Sequence, residues 1–204
     1  MFRKVLSFAV VSLCLFSSLL AHPQNKQPSP DLQGRVVAEN IYENPALGLT
    51  ITLPGSWHLP PNSATYSDPD PSCTGPLCGN PEINVAIESK PESDAHYKVY
   101  LAGYRLPAQY LNRNRYPLKW FAGIMMADSL GRDLVPIEKQ TAIQLDGRPA
   151  YRLLAARQGE TTARVLGYVS EANGYVFLLV GATPMSPQPL QSAIESLKFQ
   201  SAHH

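Results

Sequence analysis

The sequence predicts an α+β domain in which helices pack on the faces of an antiparallel meander sheet. Two dipeptides that favour tight hairpin turns, Asp146-Gly147 and Asn173-Gly174, lie between apolar segments. The run Tyr175–Val180 is continuously apolar, which is typical of a central strand covered on both faces. Because tight turns join neighbouring antiparallel strands, and helical patterns lie in the middle and at the end of the chain, we expect a layered α+β fold.

Composition bounds the class of protein. The chain has 204 residues, of which 44% are hydrophobic and 16% charged, so it is long enough and apolar enough for one globular core. This content excludes disorder throughout and a coiled coil. The formal net charge is only +1, so no strong overall field attracts nucleic acid or an anionic membrane.

The N-terminal segment, residues 1–21, has the pattern of a secretory signal peptide. Arg3 and Lys4 precede an apolar run of 16 residues, Val5–Leu20, and Ala21 offers a small residue for cleavage. A membrane-spanning helix needs about 20 apolar residues, so we expect export to a periplasmic or extracellular location without a stable span. The alternative is an N-terminal anchor that is not cleaved.

Cleavage would change the charge and the cysteine count. Loss of Arg3 and Lys4 leaves 15 basic against 16 acidic residues, a net charge of −1, which argues against a nucleic-acid partner. Loss of Cys14 leaves Cys73 and Cys78, which in an exported chain predict a disulfide. The alternative, a redox or metal pair, normally uses two intervening residues rather than four, and zinc needs further ligands.

The rest of the chain is predicted to form a flexible leader, residues 22–40, and a single domain, residues 41–200. The first strand is expected at Leu49–Leu53, where apolar residues alternate, and Pro54-Gly55 ends it. Six prolines between residues 58 and 82 predict a long loop.

Four further elements follow from local patterns. Residues 83–87 alternate as a strand, and the chain is expected to form a strand near Val99 and turn helical after Pro107. Residues 118–130 form a helix, and Ser186 is placed to cap a last one. One face of that last helix carries an apolar stripe at Leu190, Ala193, Ile194 and Leu197.

Three segments resemble a known family. The segment YENPALGLTITLPGSW, residues 42–57, and the segment DGRPAYRL, residues 146–153, are similar in order and spacing to the first strand and central hairpin of the PsbP-like (Mog/PsbP) superfamily. The end of the chain, with Ile194 and Phe199, resembles its last helix and exit. The resemblance covers residues 42–200 and implies an α/β/α sandwich whose members bind or assemble rather than catalyse. It carries no functional residue across.

Residues 97–120 hold the most unusual pattern, because aromatic and basic side chains alternate there. Such residues can stack on a sugar, bind an anionic metabolite or form a protein interface. In the alternative interpretation the tyrosines cover the sheet while the arginines point to water. The candidate binding residues are Tyr104, Tyr110, Arg113, Arg115, Tyr116 and Trp120.

The sequence shows no catalytic, cofactor or metal signature. The G-x-S-x-G motif of hydrolases is absent, and His58 and His96 are candidate bases without a recognisable nucleophile. Asp68 and Asp70, with Glu82 further along, could ligate calcium, but the glycine and glutamate positions of an EF-hand are not met. We therefore expect no catalytic residue, no metal and no cofactor.

These observations favour an exported non-enzymatic domain that binds or helps assemble another protein of the cell envelope. Its contact surface would be Tyr104–Met126, which includes a helix that is apolar on more than one face. The first alternative is a small-ligand or sugar-binding module that uses residues 97–120. The second is a hydrolase that uses His58 or His96.

The predicted disulfide can be tested by alkylation and mass spectrometry. Protein without Cys14 should take up no alkylating reagent before reduction and two equivalents after it. Replacing both Cys73 and Cys78 by serine should lower the free energy of unfolding by about 2 kcal/mol, because the denatured chain regains the entropy of an open loop. Alkylation without prior reduction would contradict the disulfide.

Overall fold

Two antiparallel sheets and three α-helices make up the part of the chain that the structure describes. The computed structural model describes residues 30–61, 81–91, 97–130, 134–159, 164–184 and 186–200. The predicted signal peptide, the pair Cys73 and Cys78, the acidic residues Asp68 and Asp70, and His96 lie outside these ranges. None of the helices in the described ranges is long and apolar enough to cross a membrane.

The larger sheet has eight strands and antiparallel pairing throughout. In spatial order the strands are β4 (Trp57–His58), β5 (Ile83–Ser89), β6 (Lys98–Arg105), β11 (Tyr175–Thr183), β10 (Arg164–Ala172) and β9 (Arg148–Arg157), followed by β7 (Leu134–Pro136) and β8 (Thr141–Leu145). At this last edge, β7 and β8 both pair with β9, at different positions along it.

Two tight turns set the register of this sheet. Asp146 and Gly147 have φ values of 48° and 79°, and Asn173 and Gly174 have 49° and 82°. Two consecutive residues with positive φ form the type I′ turn that matches the twist of a hairpin. The β8–β9 and β10–β11 hairpins predicted from these dipeptides are therefore confirmed.

The smaller sheet was not predicted. Its order is β1 (Arg35–Ala38), β2 (Ile41–Asn44), β3 (Leu49–Thr52) and β12 (Lys198–Phe199). Only β3 was expected. The last strand joins through pairs such as Phe199 with Leu49, so residues 150 positions apart complete this sheet.

The segment predicted as a flexible leader, residues 22–40, contains a helix and a strand in its C-terminal half. Within residues 22–40, Pro30–Gln33 forms the short helix α1 and Arg35–Ala38 forms β1. The side chains of the next strand hold this segment: Tyr42 Oη donates to the carbonyl oxygen of Gln33 at 2.9 Å, and Asn44 Nδ2 donates to that of Leu32 at 3.0 Å. Tyr42 and Asn44 are both fully buried, so these bonds fix the segment to the core.

Each face of the larger sheet has its own cover. Helix α2 (Leu118–Leu130) packs on β9, β10 and β11 through the buried side chains of Phe121 and Met125. The opposite face meets the smaller sheet and helix α3 (Gln188–Glu195) in one hydrophobic cluster. The predicted α+β class is confirmed, and the predicted sandwich carries a second sheet beside its C-terminal helix.

Polar contacts also bind α3 to the sheet. Glu195 Oε1 accepts hydrogen bonds from Arg152 Nη1 at 2.9 Å and from Tyr168 Oη at 3.2 Å. Tyr168 is fully buried, and this burial, reinforced by the Glu195 carboxylate, raises the pKa of its phenol. The phenol therefore stays protonated and serves as a donor.

Two glycines allow a test of how closely the helices approach the sheet. A Cβ on Gly181 would lie 2.7 Å from Leu190 Cδ2 of α3, whereas a Cβ on Gly167 would lie 3.7 Å from Met126 Cγ of α2. Gly181→Ala should therefore lower the free energy of unfolding by about 1–3 kcal/mol through overpacking.

Gly167→Ala is the matched control, because its methyl group would make ordinary contacts. Denaturant unfolding of both variants checks the expectation. Equal stability of the two variants would show that α3 does not approach β11 as closely as described.

Candidate binding surface

A series of tight turns connects β6 to α2 and positions the candidate residues. After β6 ends, Ala108–Tyr110 forms a turn of 3-10 helix. Asn112 Oδ1 then accepts from the backbone N–H of Asn114 at 3.1 Å, and the Asn112 carbonyl accepts from Tyr116 N at 2.9 Å. Pro117 lies immediately before the helix, where its fixed φ suits a first turn. The strand predicted near Val99 is confirmed as β6. The helix expected after Pro107 is only the three-residue turn Ala108–Tyr110, and further turns separate it from α2.

Three of the predicted residues form one aromatic cluster, which we define as Tyr110, Tyr116 and Trp120. The ring centroids of Tyr110 and Tyr116 lie 5.0 Å apart, those of Tyr116 and Trp120 5.1 Å, and those of Tyr110 and Trp120 6.3 Å. Trp120 also meets the buried ring of Phe121 edge to face at 5.0 Å. These contacts hold the indole in place without covering it, since 38% of Trp120 remains exposed.

An open groove of about 470 Å³ runs beside the aromatic cluster. We call it the α2 groove. On its helix side, Gly123 leaves open space: apart from its chain neighbours and the backbone of α2, no atom lies within 4 Å of the position that a Cβ would take. Gln140 also lines the groove, and its side-chain Nε2 is buried without a hydrogen-bond partner among the described residues. The groove is lined by Pro117, Lys119, Trp120, Gly123, Ile124 and Gln140.

The two predicted arginines have different surroundings. Arg113 turns inward: its Nη2 lies 2.6 Å from Glu171 Oε2 of β10, and its guanidinium stacks 5.3 Å above the Phe121 ring. Arg115 is exposed and lies over the ring of Tyr116 at 5.3 Å. Arg113 therefore ties the connection to the sheet, whereas Arg115 extends the aromatic cluster with a positive charge.

The remaining aromatic residues of the segment support the core. Tyr104 is half-buried in the hydrophobic cluster under α2, and Tyr97 is buried with its ring stacked on Trp57 at 6.2 Å. Each interpretation therefore describes part of the segment: its first tyrosines cover the sheet, and its last aromatic residues form the partly exposed aromatic cluster.

Of the residues that line the α2 groove, only Trp120 was a candidate binding residue; Gly123 lies in the predicted contact surface but was not singled out, and Gln140 lies outside that surface. Glycine weakens a helix, so its presence at position 123, in the middle of the predicted helix, was a signal in the sequence. In the structure this glycine has no close neighbour at its Cβ position. Gln140 carried no signal, since it reaches the groove from the segment before β8.

The residues considered for catalysis and for calcium are placed elsewhere. His58 is half-buried, and its Nδ1 has no hydrogen-bond partner within the described part of the chain. Glu82 accepts from Tyr175 Oη at 2.8 Å and from Arg105 Nε at 3.3 Å. Burial, followed by the Glu82 carboxylate, raises the pKa of the Tyr175 phenol. Within the described ranges, no three metal-ligating side chains come together.

Comparison with known proteins gives similarities of structure alone. No protein-family model matches the chain, and no curated protein matches its sequence. The chain is structurally similar to cyanobacterial PsbP (CyanoP) from Synechocystis, with a TM-score of 0.47 and 16% identity over 82% of this chain and 96% of that one. The PsbP-like resemblance drawn from the sequence is thus matched by a structural similarity.

Two other solved structures are similar. LpqN, which is involved in cell envelope biogenesis of Mycobacterium tuberculosis, gives a TM-score of 0.46 at 14% identity, over 75% of this chain and 83% of that one. A protein from Bacteroides thetaiotaomicron gives 0.43 at 8% identity, over 85% of this chain and 50% of that one. A shared fold does not assign a function.

The two tryptophans of the chain allow the exposure of the aromatic cluster to be measured. Trp57 is only 1% exposed, whereas Trp120 is 38% exposed. In Trp120→Phe the remaining fluorescence should shift to shorter wavelength and resist quenching by acrylamide. In Trp57→Phe, the matched control, emission should stay at longer wavelength and be quenched readily. Strong quenching of Trp120→Phe would contradict this placement.

Proposed function

We propose that this chain is an exported, non-enzymatic binding domain of the cell envelope, and that the aromatic cluster and the α2 groove contact a partner protein. The observation that carries the proposal is the 38% exposure of Trp120 beside an open groove of about 470 Å³. Large aromatic side chains left at the surface of a folded domain are characteristic of interaction sites.

The arrangement of the cluster favours tight contact. Tryptophan, tyrosine and arginine dominate the residues whose truncation weakens protein interfaces most. Neighbouring rings, with centroids 5.0–6.3 Å away, already hold Trp120 in place, so binding would cost little of its side-chain conformational entropy. Preorganised anchors of this kind favour a long-lived complex.

The charges around the groove specify the chemistry of the partner. Lys119 lines the α2 groove and Arg115 lies beside Tyr116, and both side chains are exposed. Neither has an ion pair within the described part of the chain. The partner should therefore present an apolar segment for the groove with acidic residues next to it, which would speed association and select against basic competitors.

Export and the lack of catalysis are proposed from the sequence. Arg3, Lys4 and the apolar run Val5–Leu20 support a signal peptide, and no recognisable nucleophile motif accompanies the histidines. An envelope protein is the partner class that an exported chain with these features would meet.

A small-ligand or sugar-binding module is the second candidate. The volume of the α2 groove falls within the usual range for small-molecule sites. The exposed face of Trp120 could stack on a ligand ring, while Lys119, which also lines the groove, could donate to a ligand oxygen.

A substitution that fills the α2 groove can block binding there without destabilising the fold. Gly123→Leu places a side chain in open space and removes a helix-weakening glycine, so the free energy of unfolding should rise by about 0.5–1 kcal/mol. A photo-crosslinking residue at Lys119 should join one partner in the native envelope, and Gly123→Leu should abolish that adduct.

Two controls decide the outcome. The same crosslinker at Val37, which is exposed on the smaller sheet away from α2, should not give that adduct. An adduct that persists in Gly123→Leu would overturn the proposed surface. A thermal shift with sugars that disappears in Gly123→Leu, without any adduct, would instead support the second candidate.

A further inference from the structure

A second cavity, of about 310 Å³, lies at the β10–β11 turn. We call it the hairpin pocket. The charged residues that line it are two arginines, Arg113 and Arg148, and one glutamate, Glu171. The pocket therefore carries a net positive charge.

Arg148 is the unusual group of the pocket. It is half-buried, it stacks on the Phe199 ring at 4.3 Å, and it donates through Nη1 to the backbone carbonyl of Glu171 at 3.4 Å. Among the described residues it has no ion pair within 4 Å. The carboxylate of Asp146 interacts with it at longer range, but that carboxylate is bound by Lys198 Nζ at 2.9 Å and by the backbone N–H of Phe199 at 2.8 Å. A stacked guanidinium keeps its N–H groups in its own plane, where they can donate to a ligand.

The other groups of the pocket are held in place. Glu171 Oε2 lies 2.6 Å from Arg113 Nη2, so this carboxylate is committed to Arg113 rather than to Arg148. Arg105 adds a third guanidinium nearby: its Nη1 lies 3.9 Å from the position that a Cβ on Gly174 would take. Its own bonds go to Tyr175 and Glu82.

We propose that the hairpin pocket binds the oxyanion group, carboxylate or phosphoryl, of a small organic molecule, with Arg148 as its principal donor. Guanidinium groups bind both oxyanions through paired hydrogen bonds. Leu111, which also lines the pocket, is 55% exposed and offers an apolar contact for the rest of the molecule. The ligand is therefore an anion with an apolar part.

The inference does not depend on the partner-binding surface. The α2 groove and the hairpin pocket have no lining residue in common. Trp120→Ala should leave anion binding intact, and Arg148→Met should leave the Lys119 adduct intact, so the failure of one proposal is distinguishable from the failure of the other.

The test is a titration of isotope-labelled protein followed by NMR, with hexyl phosphate and hexanoate as separate probes, which share an apolar chain and differ in the oxyanion. The backbone amide signals of Asn173 and Gly174 should shift in a saturable manner, and the affinity should fall as sodium chloride is raised. Arg148→Met should weaken binding by about tenfold or more, because a charged donor is lost. Arg148→Lys keeps the charge but not the paired donors of the guanidinium, so its affinity should lie between that of Arg148→Met and that of the unmodified protein.

Arg35→Gln is the matched control, since Arg35 is an exposed arginine of the smaller sheet whose only described ion pair is with Glu43. It should bind both probes as the unmodified protein does. Saturation by one probe alone would identify the oxyanion as phosphoryl or carboxylate. Shifts that do not saturate, or equal weakening by Arg35→Gln and Arg148→Met, would overturn the proposal. If Arg148→Met does not fold, the Arg148→Lys titration decides alone, and unchanged affinity there also overturns it.

Discussion

The burial of both faces of β11 is the constraint on which the rest of the structure depends. Val176 and Leu178 face α2, whereas Phe177 and Leu179 face the smaller sheet and α3. A strand that is apolar on both faces is stable only if both are covered, because exposure would forgo the hydrophobic contribution of each side chain. Each cover must approach closely, and Gly181 permits this where α3 crosses the strand.

This constraint also determines what α2 exposes. The helix turns Phe121 and Met125 onto the sheet, which leaves Trp120 and Gly123 on the outside. The pattern of the helix did not specify this orientation, because its apolar residues surround more than one face. The ion pair of Arg113 with Glu171 and the turn at Asn112 complete the orientation by fixing how the chain enters the helix.

The two proposed sites differ in how much of them could be predicted. The aromatic cluster lies within eleven consecutive residues, 110–120, and the types of its residues are enough to identify it as a candidate surface. The hairpin pocket joins Arg113, Arg148 and Glu171 from three separate segments, and only the pairing of β9 with β10 brings the last two together. Of these three, the sequence singled out Arg113 alone, and for a different surface.

What the sequence by itself determined were features with local causes. The two hairpin turns depend on neighbouring residues that adopt positive φ, the predicted strands depend on runs of alternating or continuous apolar residues, and α2 follows a proline that suits its first turn. The tertiary structure alone decided the smaller sheet, the ordered segment 30–38 and the position of Gln140 in the α2 groove. Each of these depends on contacts between residues distant in the chain, such as Phe199 with Leu49, and no local pattern records which distant partner a short strand or a polar side chain will meet.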